Sequence, residues 1–316
     1  MSTLDPGLRV LLSALERQPL GGPAEAAGAR RQTLLIDFEG DEQALAGLGV
    51  QVRARAGTIL SADVPVTALE QLRDLPGLRR AEMARPLSME VETALAEAAF
   101  PTHQTRALSR AIVGVIDSGI DFRHATFRQP DGRTRLLAIW DQALEPVGAE
   151  APPAGFDYGV EYTRAQIDAA LASDAPGAPV RHVDRECHGT HVAGIAVGGG
   201  HPIDATGALR YQGAAPQADL IVVANTRVDH HGERSLGDCT DLFEAIAYIL
   251  RTADALGRPV VINCSQGATI GAHDGSSLME RAIDYWSREA PGRVLVKSAG
   301  NEAEGKRHAE GIVTAD

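Results

Sequence analysis

Four short apolar runs constrain this chain more than any other feature. Residues 112–116, 219–224, 260–264 and 294–297 are dominated by Val, Ile and Leu, and each stops at a small or polar residue. Helical stretches at 188–194, 242–256 and 278–286 fall among them. Runs that stay apolar at consecutive positions suit strands buried on both faces, as in a parallel sheet. Strand, helix, strand in this order implies an α/β domain with helices on both sides of that sheet. In such sheets the chemistry collects at the carboxyl ends of the strands. Asp117, Ser265 and Asn301 each sit just past a strand end, so the fold is expected to let them converge.

The chain ahead of this region has another rhythm. Residues 1–30 read as a short amphipathic helix and a Gly/Pro/Ala linker around Gly21, Gly22 and Pro23. Between 31 and 90, strand-like runs at 33–38, 50–56, 58–64 and 78–83 alternate with helical stretches at 41–48 and 66–75. The second of these sets Leu69, Leu72 and Leu75 on one face. The order βαββαβ is that of a small α+β, ferredoxin-like module. Residues 91–108 read as an Ala/Glu-rich link, and 109–316 as the larger domain. Within that domain, 128–184 reads as a long polar stretch with a single helix candidate at 164–172.

Composition narrows the function. The chain has 316 residues, 44% hydrophobic and 23% charged, which is ordinary globular composition. Its formal net charge of -12 disfavours nucleic-acid binding through a basic surface. No apolar run approaches the roughly 18–20 residues of a bilayer span. Cys187, Cys239 and Cys264 are odd in number and form no CxxC pair, which argues against a disulfide framework or a four-cysteine zinc site. The first residues lack a basic segment followed by a long apolar core, so no secretory signal is visible and the cytoplasm is the default location.

Four segments carry the chemistry. In Gly114-Val115-Ile116-Asp117-Ser118-Gly119, a carboxylate at a strand tip suits the Nδ1 of a histidine, although strand-tip aspartates also bind metals or cap turns. In His188-Gly189-Thr190-His191-Val192-Ala193-Gly194, small residues let a helix start pack on the sheet and present His188. A metal site drawn from His182, Cys187, His188 and His191 is a rival reading, but no zinc spacing is matched. In Ser298-Ala299-Gly300-Asn301, a side-chain amide after a strand can donate to a developing oxyanion. In Asn263-Cys264-Ser265-Gln266-Gly267, the backbone can pair with an extended peptide.

Taken in order, these segments resemble the aspartate, histidine and oxyanion-asparagine motifs of the subtilisin-like serine proteases, the subtilases. Residues 213–220, Gly-Ala-Ala-Pro-Gln-Ala-Asp-Leu, match a further block of that family. Residues 134–142, the Tyr158–Tyr162 segment and residues 273–277 are similar to blocks of the Csp-type branch. The resemblance covers roughly residues 111–316. It implies a serine endopeptidase with a polypeptide substrate and no required cofactor. Asp117 would orient His188, His188 would act as base, and Asn301 would hold the oxyanion. Ser265, Gln266 and Gly267 would line one wall of the substrate cleft, and Ser298, Ala299 and Gly300 the other. Calcium is common in the family, and Asp121 and Asp184 are candidate ligands without a calcium-loop pattern.

The family's Gly-Thr-Ser-Met-Ala-like block with its nucleophile does not follow Asn301. Gly275-Ser276-Ser277 precedes the asparagine and reads as a surface loop at a helix N-cap. The expectation is a chain truncated before its serine. Its alternative is an inactive pseudoprotease that binds peptides or regulates. Residues 31–90 resemble, in pattern, the inhibitor-type propeptide of many subtilases, with a tail at about 88–104 entering the cleft. Cys187, beside His188, is expected to be a packed thiol that confers sensitivity to thiol reagents.

Overall fold

The computed structural model describes residues 4–17, 30–89, 111–173, 179–202, 209–228, 234–268, 271 and 273–301. The linker at 21–23, the link at 91–108 and the part of the expected tail beyond residue 89 lie outside them.

The N-terminal unit comprises α1 (Pro6–Arg17), β1 (Arg31–Phe38), α2 (Glu42–Gly47), β2 (Gln51–Ala56), β3 (Ile59–Pro65), α3 (Leu69–Arg73) and β4 (Leu78–Met83). Its four strands form an antiparallel sheet in the order β2-β3-β1-β4, the ferredoxin-like arrangement. Alternation along the strands splits their side chains between two faces. Leu34, Ile36, Leu60, Ala62 and Val64 pack with Leu8, Leu45, Leu69 and Leu72 in the unit's own core. Leu35, Ala56 and Ile59 belong to the core of the larger unit instead. The module sheet is therefore a layer shared between two cores.

The chain continues through β5 (Ser88–Met89), β6 (Ile112–Asp117), β7 (Leu136–Asp141), β8 (Val160–Thr163), α4 (Arg164–Leu171) and α5 (His188–Val197). A hairpin of β9 (Gly199–Pro202) and β10 (Leu209–Gln212) precedes β11 (Asp219–Ala224). A second hairpin, β12 (Thr226–Val228) and β13 (Arg234–Leu236), precedes α6 (Cys239–Ala255). Then come β14 (Val260–Cys264), β15 (Gln266–Gly267), α7 (Leu278–Glu289) and β16 (Arg293–Lys297).

The central sheet has the order β16-β14-β6-β11-β7-β8. All neighbours are parallel except β8, which runs antiparallel to β7 at the edge. Both faces of β6, β11 and β7 are buried, as continuous apolar strands require, whereas the edge strand β16 leaves Val294 and Val296 exposed although its run reads as equally apolar. Ile112, Ile116, Ile221 and Val223 face α6 and α7, while Val113, Val115, Leu220 and Val222 face the α5 side. Gly114 lets α6 approach closely, because a Cβ there would lie 2.8 Å from a methyl of Ile249.

The stretch 128–184 is more structured than its polarity suggests. It supplies β7 to the sheet interior and β8 to its edge, together with α4. Trp140 on β7 is fully buried against the rings of Phe156, Tyr158 and Tyr248. Arg135, just ahead of β7, directs its guanidinium to the carbonyls of Ala218, Thr126 and Val197. Two helices also exceed their expected bounds. α5 runs on to Val197, and α6 begins at Cys239 behind a capping box made by Asp238 and Asp241.

Polar contacts tie the module to the larger unit. Ser277 caps α7, with Glu280 completing the box, as the loop reading of residues 275–277 expects. The Leu278 amide on α7 donates to the buried Glu82 carboxylate on β4 at 3.2 Å, placing an acid at the helix N-terminus. Arg281 pairs with Asp37 on β1 at 2.8 Å.

Candidate active site

Asp117 is the last residue of β6, and Asn225 follows β11 beside it, its backbone amide donating to the Asp117 carbonyl at 2.8 Å. His188 is the first residue of α5, packed against the end of β6. The His188 Nδ1–H donates to Asp117 Oδ1 at 2.6 Å, and the Ser118 amide donates to the same oxygen at 2.7 Å. The side chains of His188 and Asp117 are 16% and 1% exposed, so the pair is shielded yet lies at the surface of the sheet end. With Nδ1 committed to the carboxylate, Nε2 is the free base position of the ring. Among the described residues, His188 Nε2 has no hydrogen-bond partner.

The start of α5 is held from outside the helix. Cys187, its N-cap, has a left-handed backbone (φ 60) and gives no side-chain cap. Asp184 takes over that task. Its Oδ1 accepts from the Cys187 amide at 3.1 Å and the Ser118 hydroxyl at 2.8 Å. Its Oδ2 accepts from the Thr190 amide at 2.9 Å and the Thr190 hydroxyl at 2.5 Å. The Ser118 oxygen in turn accepts from the Gly189 amide at 2.9 Å. These bonds satisfy the open amides of the first helical turn and set a carboxylate at its positive end. They also join the turn after Asp117 to the residue after His188. Asp184 and Ser118 are the positioning groups that the sequence reading did not assign to the site. No local pattern marks them, because the two are 66 positions apart.

A second buried pair stands beside the first. His182 Nδ1 lies 2.7 Å from Asp141 Oδ2, and His182 Nε2 accepts from the Ile120 amide at 3.1 Å. Both ring nitrogens of His182 are therefore occupied, as is Nδ1 of His188, so the rival zinc grouping does not assemble. Asp184 is likewise engaged at both oxygens, and Asp121 Oδ1 accepts from the Arg123 amide. Among the described residues, no three His, Cys, Asp or Glu side chains gather where they could hold a metal.

The expected cleft segments leave neighbouring strands. Ser265 follows β14, and its hydroxyl accepts from the Asn263 side-chain amide at 2.9 Å. Gln266 and Gly267 form β15, which pairs antiparallel with Ser88 and Met89 of β5. On the other side of this segment, the Leu87 amide donates to the Gly237 carbonyl at 3.3 Å and the Cys239 amide to the Arg85 carbonyl at 2.9 Å. Residues 85–89 thus run as an extended strand between the α6 N-terminus and β15. Peptide recognition by strand addition works in this way.

One expectation for this wall needs correction. The Gln266 side chain is fully buried and faces inward, accepting from Asn225 Nδ2 at 3.2 Å and donating to the Ile116 carbonyl at 3.3 Å. It props the strand ends and does not line the cleft, so it sets no side-chain preference; only its backbone meets the added strand. Cys187 is a second correction: it is exposed, because the left-handed N-cap turns it away from the core. Cys264 is buried at the end of β14, where burial pushes its thiol up to about 12 and makes it a poor nucleophile.

On the far side, Ser298 continues from β16, its amide donating to the Cys264 carbonyl at 3.3 Å. Ala299 and Asn301 are exposed, and Gly300 has a positive φ of 104 that turns the chain after the strand. Since β16 neighbours β14 and β14 neighbours β6, Asn301 lies at the same end of the sheet as Asp117.

Known proteins resemble this chain in sequence and fold. A sequence profile of the subtilase family, peptidase family S8, matches residues 109–313. The chain is 32% identical over 165 residues to a thermophilic serine proteinase of Bacillus sp. strain AK1, covering 51% of this chain and 35% of that protein. It is 36% identical over 118 residues to a subtilisin of Bacillus sp. strain TA39, covering 37% of this chain and 24% of that one. Among solved structures, the CspB protease of Clostridium perfringens aligns with a TM-score of 0.50 and 31% identity, over 61% of this chain and 36% of that chain. The chain spans well under two thirds of the length of the curated relatives it matches. With an aspartate and a histidine joined at the ends of a parallel sheet, and a family profile covering most of the sequence, the chain belongs to the subtilase family.

Proposed function

We propose that this chain carries the acid–base half of a serine endopeptidase and, ahead of it, an intramolecular inhibitor. The observation that carries the reading is the 2.6 Å bond from His188 Nδ1–H to Asp117 Oδ1, which leaves Nε2 as the base position. In this reading Nε2 takes the proton of a serine hydroxyl as its oxygen attacks the carbonyl carbon of a polypeptide substrate. The carbonyl π electrons move onto oxygen, where the Asn301 amide and a backbone N–H stabilise the charge. As the carbonyl re-forms and the C–N bond breaks, His188 gives the proton to the leaving amine. A water deprotonated by the same Nε2 then attacks the acyl group, and the serine oxygen leaves with that proton, while Asp117 stabilises the imidazolium between these steps. Calcium has no step in this scheme.

The module of residues 31–89 is read as the propeptide. Its support is β5, which occupies the β15 edge in the way an extended substrate would. The test is to express the longest reading frame that contains this chain and treat it with a fluorophosphonate. A covalent adduct on one serine, abolished in His188→Ala, is the expected result. Absence of any adduct, with retained peptide binding, favours a pseudoprotease that holds peptides without cutting them.

A further inference from the structure

Asp141 and His182 repeat the geometry of Asp117 and His188 without a part in the reaction. Asp117 and Asp141 end their strands in the same register, one on each side of Ala224, about 10 Å apart by two strand spacings. Each carboxylate meets the Nδ1 of a histidine. The difference is the other nitrogen. His188 Nε2 is uncommitted among the described residues, whereas His182 Nε2 accepts the Ile120 amide at 3.1 Å. A nitrogen that accepts carries no proton, so the single ring proton of His182 is on Nδ1 and is donated to Asp141.

We propose that His182 is a positioning residue for the Asp117–His188 pair, clamped by Asp141 so that its Nε2 holds the turn after Asp117. The inference rests on reading Asp117 and His188 as an acid–base pair. The His182 and Asp141 side chains are 0% and 2% exposed, so the clamp is a rigid, water-excluded element. The ring lies close against Gly119: a Cβ there would fall 2.6 Å from Cε1 and 2.8 Å from Nε2. Gly119 also has a φ of 137, a backbone that only glycine adopts readily. The turn therefore has no side chain between itself and the imidazole.

This turn governs both catalytic groups. Its Ser118 amide bonds the Asp117 oxygen that accepts from His188, and its Ser118 hydroxyl accepts the Gly189 amide next to His188. A shift at Ile120 and Gly119 is thus carried to both partners of the pair. Proton transfer tolerates little displacement, and an error of roughly 1 Å can cost 10²-fold in rate. Residues 134–142, which the sequence set apart, acquire a purpose here, because they deliver Asp141 at the tip of β7.

Two variants separate the contacts of His182. In His182→Gln, the side-chain oxygen reaches the Nε2 position and still accepts from Ile120. In His182→Asn, the amide reaches only the Nδ1 position, so Asp141 keeps a donor and Ile120 loses its acceptor. The readout is the low-field Nδ1 proton resonance of His188 in the histidine-labelled chain, with far-UV circular dichroism as a measure of folding. The parent shows the resonance, the Asn variant loses it, and the Gln variant, which keeps the Ile120 acceptor without the Asp141 clamp, retains it in weakened form. Survival in the Asn variant, or loss from the Gln variant, overturns the proposal. Absence of the resonance from the parent would overturn the acid–base reading itself.

Discussion

The Ser61 hydroxyl on β3 donates to Glu244 Oε1 on α6 at 2.7 Å, joining two buried groups 183 positions apart across the junction between the module and the larger unit. Burial raises the Glu244 carboxyl from the ordinary 4.5 to about 7. The nearby Arg53 guanidinium and the Ser61 and Tyr158 hydroxyls oppose the rise, and the Asp241 charge adds to it. Arg53 is itself shared with Asp63 on β3, and Asp241 with Arg227. A carboxyl whose value is higher in the packed state binds a proton on packing. Its contribution is complete below pH 4.5, declines above that, and is lost once the pH passes about 7. The junction is therefore expected to loosen between mildly acidic and neutral pH. Thermal melts from about pH 4 to about pH 9 check this: Glu244→Gln should flatten the decline seen in the parent. Parallel curves for the two proteins would count against it.

Asp117→Asn tests the acid–base pair. The amide keeps the size of the carboxylate but cannot stabilise an imidazolium, and it favours the wrong tautomer of His188. In the full-length proteinase of the proposed reading, kcat should fall on the order of 10⁴-fold with little change in KM, the usual loss when a triad carboxylate is neutralised. Steady-state kinetics on a peptide substrate give the answer. A loss confined to KM would assign Asp117 to substrate binding instead.

The three cysteines differ sharply in reactivity. Cys187 is exposed, whereas Cys239 and Cys264 are buried. Burial pushes each of the latter two thiols up to about 12, and the thiolate is the reactive form. A chromogenic disulfide reagent should find one fast thiol in the native chain and all three after unfolding. Cys187→Ser should remove the fast phase. Rapid reaction at a second thiol would show that the core around α6 or β14 opens readily.

The parts of the site written locally were legible, and the parts written across the fold were not. Asp117 and His188 stand in short motifs that period and punctuation place at a strand tip and a helix start, and the resemblance to the subtilases is what joined them into one site. β7 was obscured because Arg133, Arg135, Asp141 and Gln142 flank its apolar run and read as surface. In the fold the two terminal nitrogens of Arg135 donate to the carbonyls of Ala218, Thr126 and Val197, and Asp141 meets His182, which no local pattern announces. Gln266 was misread for a different reason. A strand shows which residues alternate but not which face is inward until its neighbours are known. The start of α6 did have a signal, the Asp238 and Asp241 spacing of a capping box, which the apolar pattern from Leu242 onward overshadowed.

Two glycines on α5 should respond oppositely to the same substitution. A Cβ on Gly189 would lie 2.2 Å from the Gly119 carbonyl oxygen, 2.9 Å from the Gly119 nitrogen and 3.0 Å from Asp117 Cβ. These are backbone and strand-end atoms that cannot rotate aside, so the helix start must move away from the turn. Gly189→Ala is expected to destabilise the chain by about 1–3 kcal/mol, the range for overpacking. It should also weaken the His188–Asp117 bond, because the Gly189 amide leaves Ser118. A Cβ on Gly194 meets nothing within 4 Å. There the only effect is on helix propensity, and Gly194→Ala should stabilise by about 0.5–1 kcal/mol. Thermal melts of both variants, read with the His188 low-field proton, decide the matter. Equal shifts in the two would mean that close contact between α5 and the Asp117 turn does not limit this site.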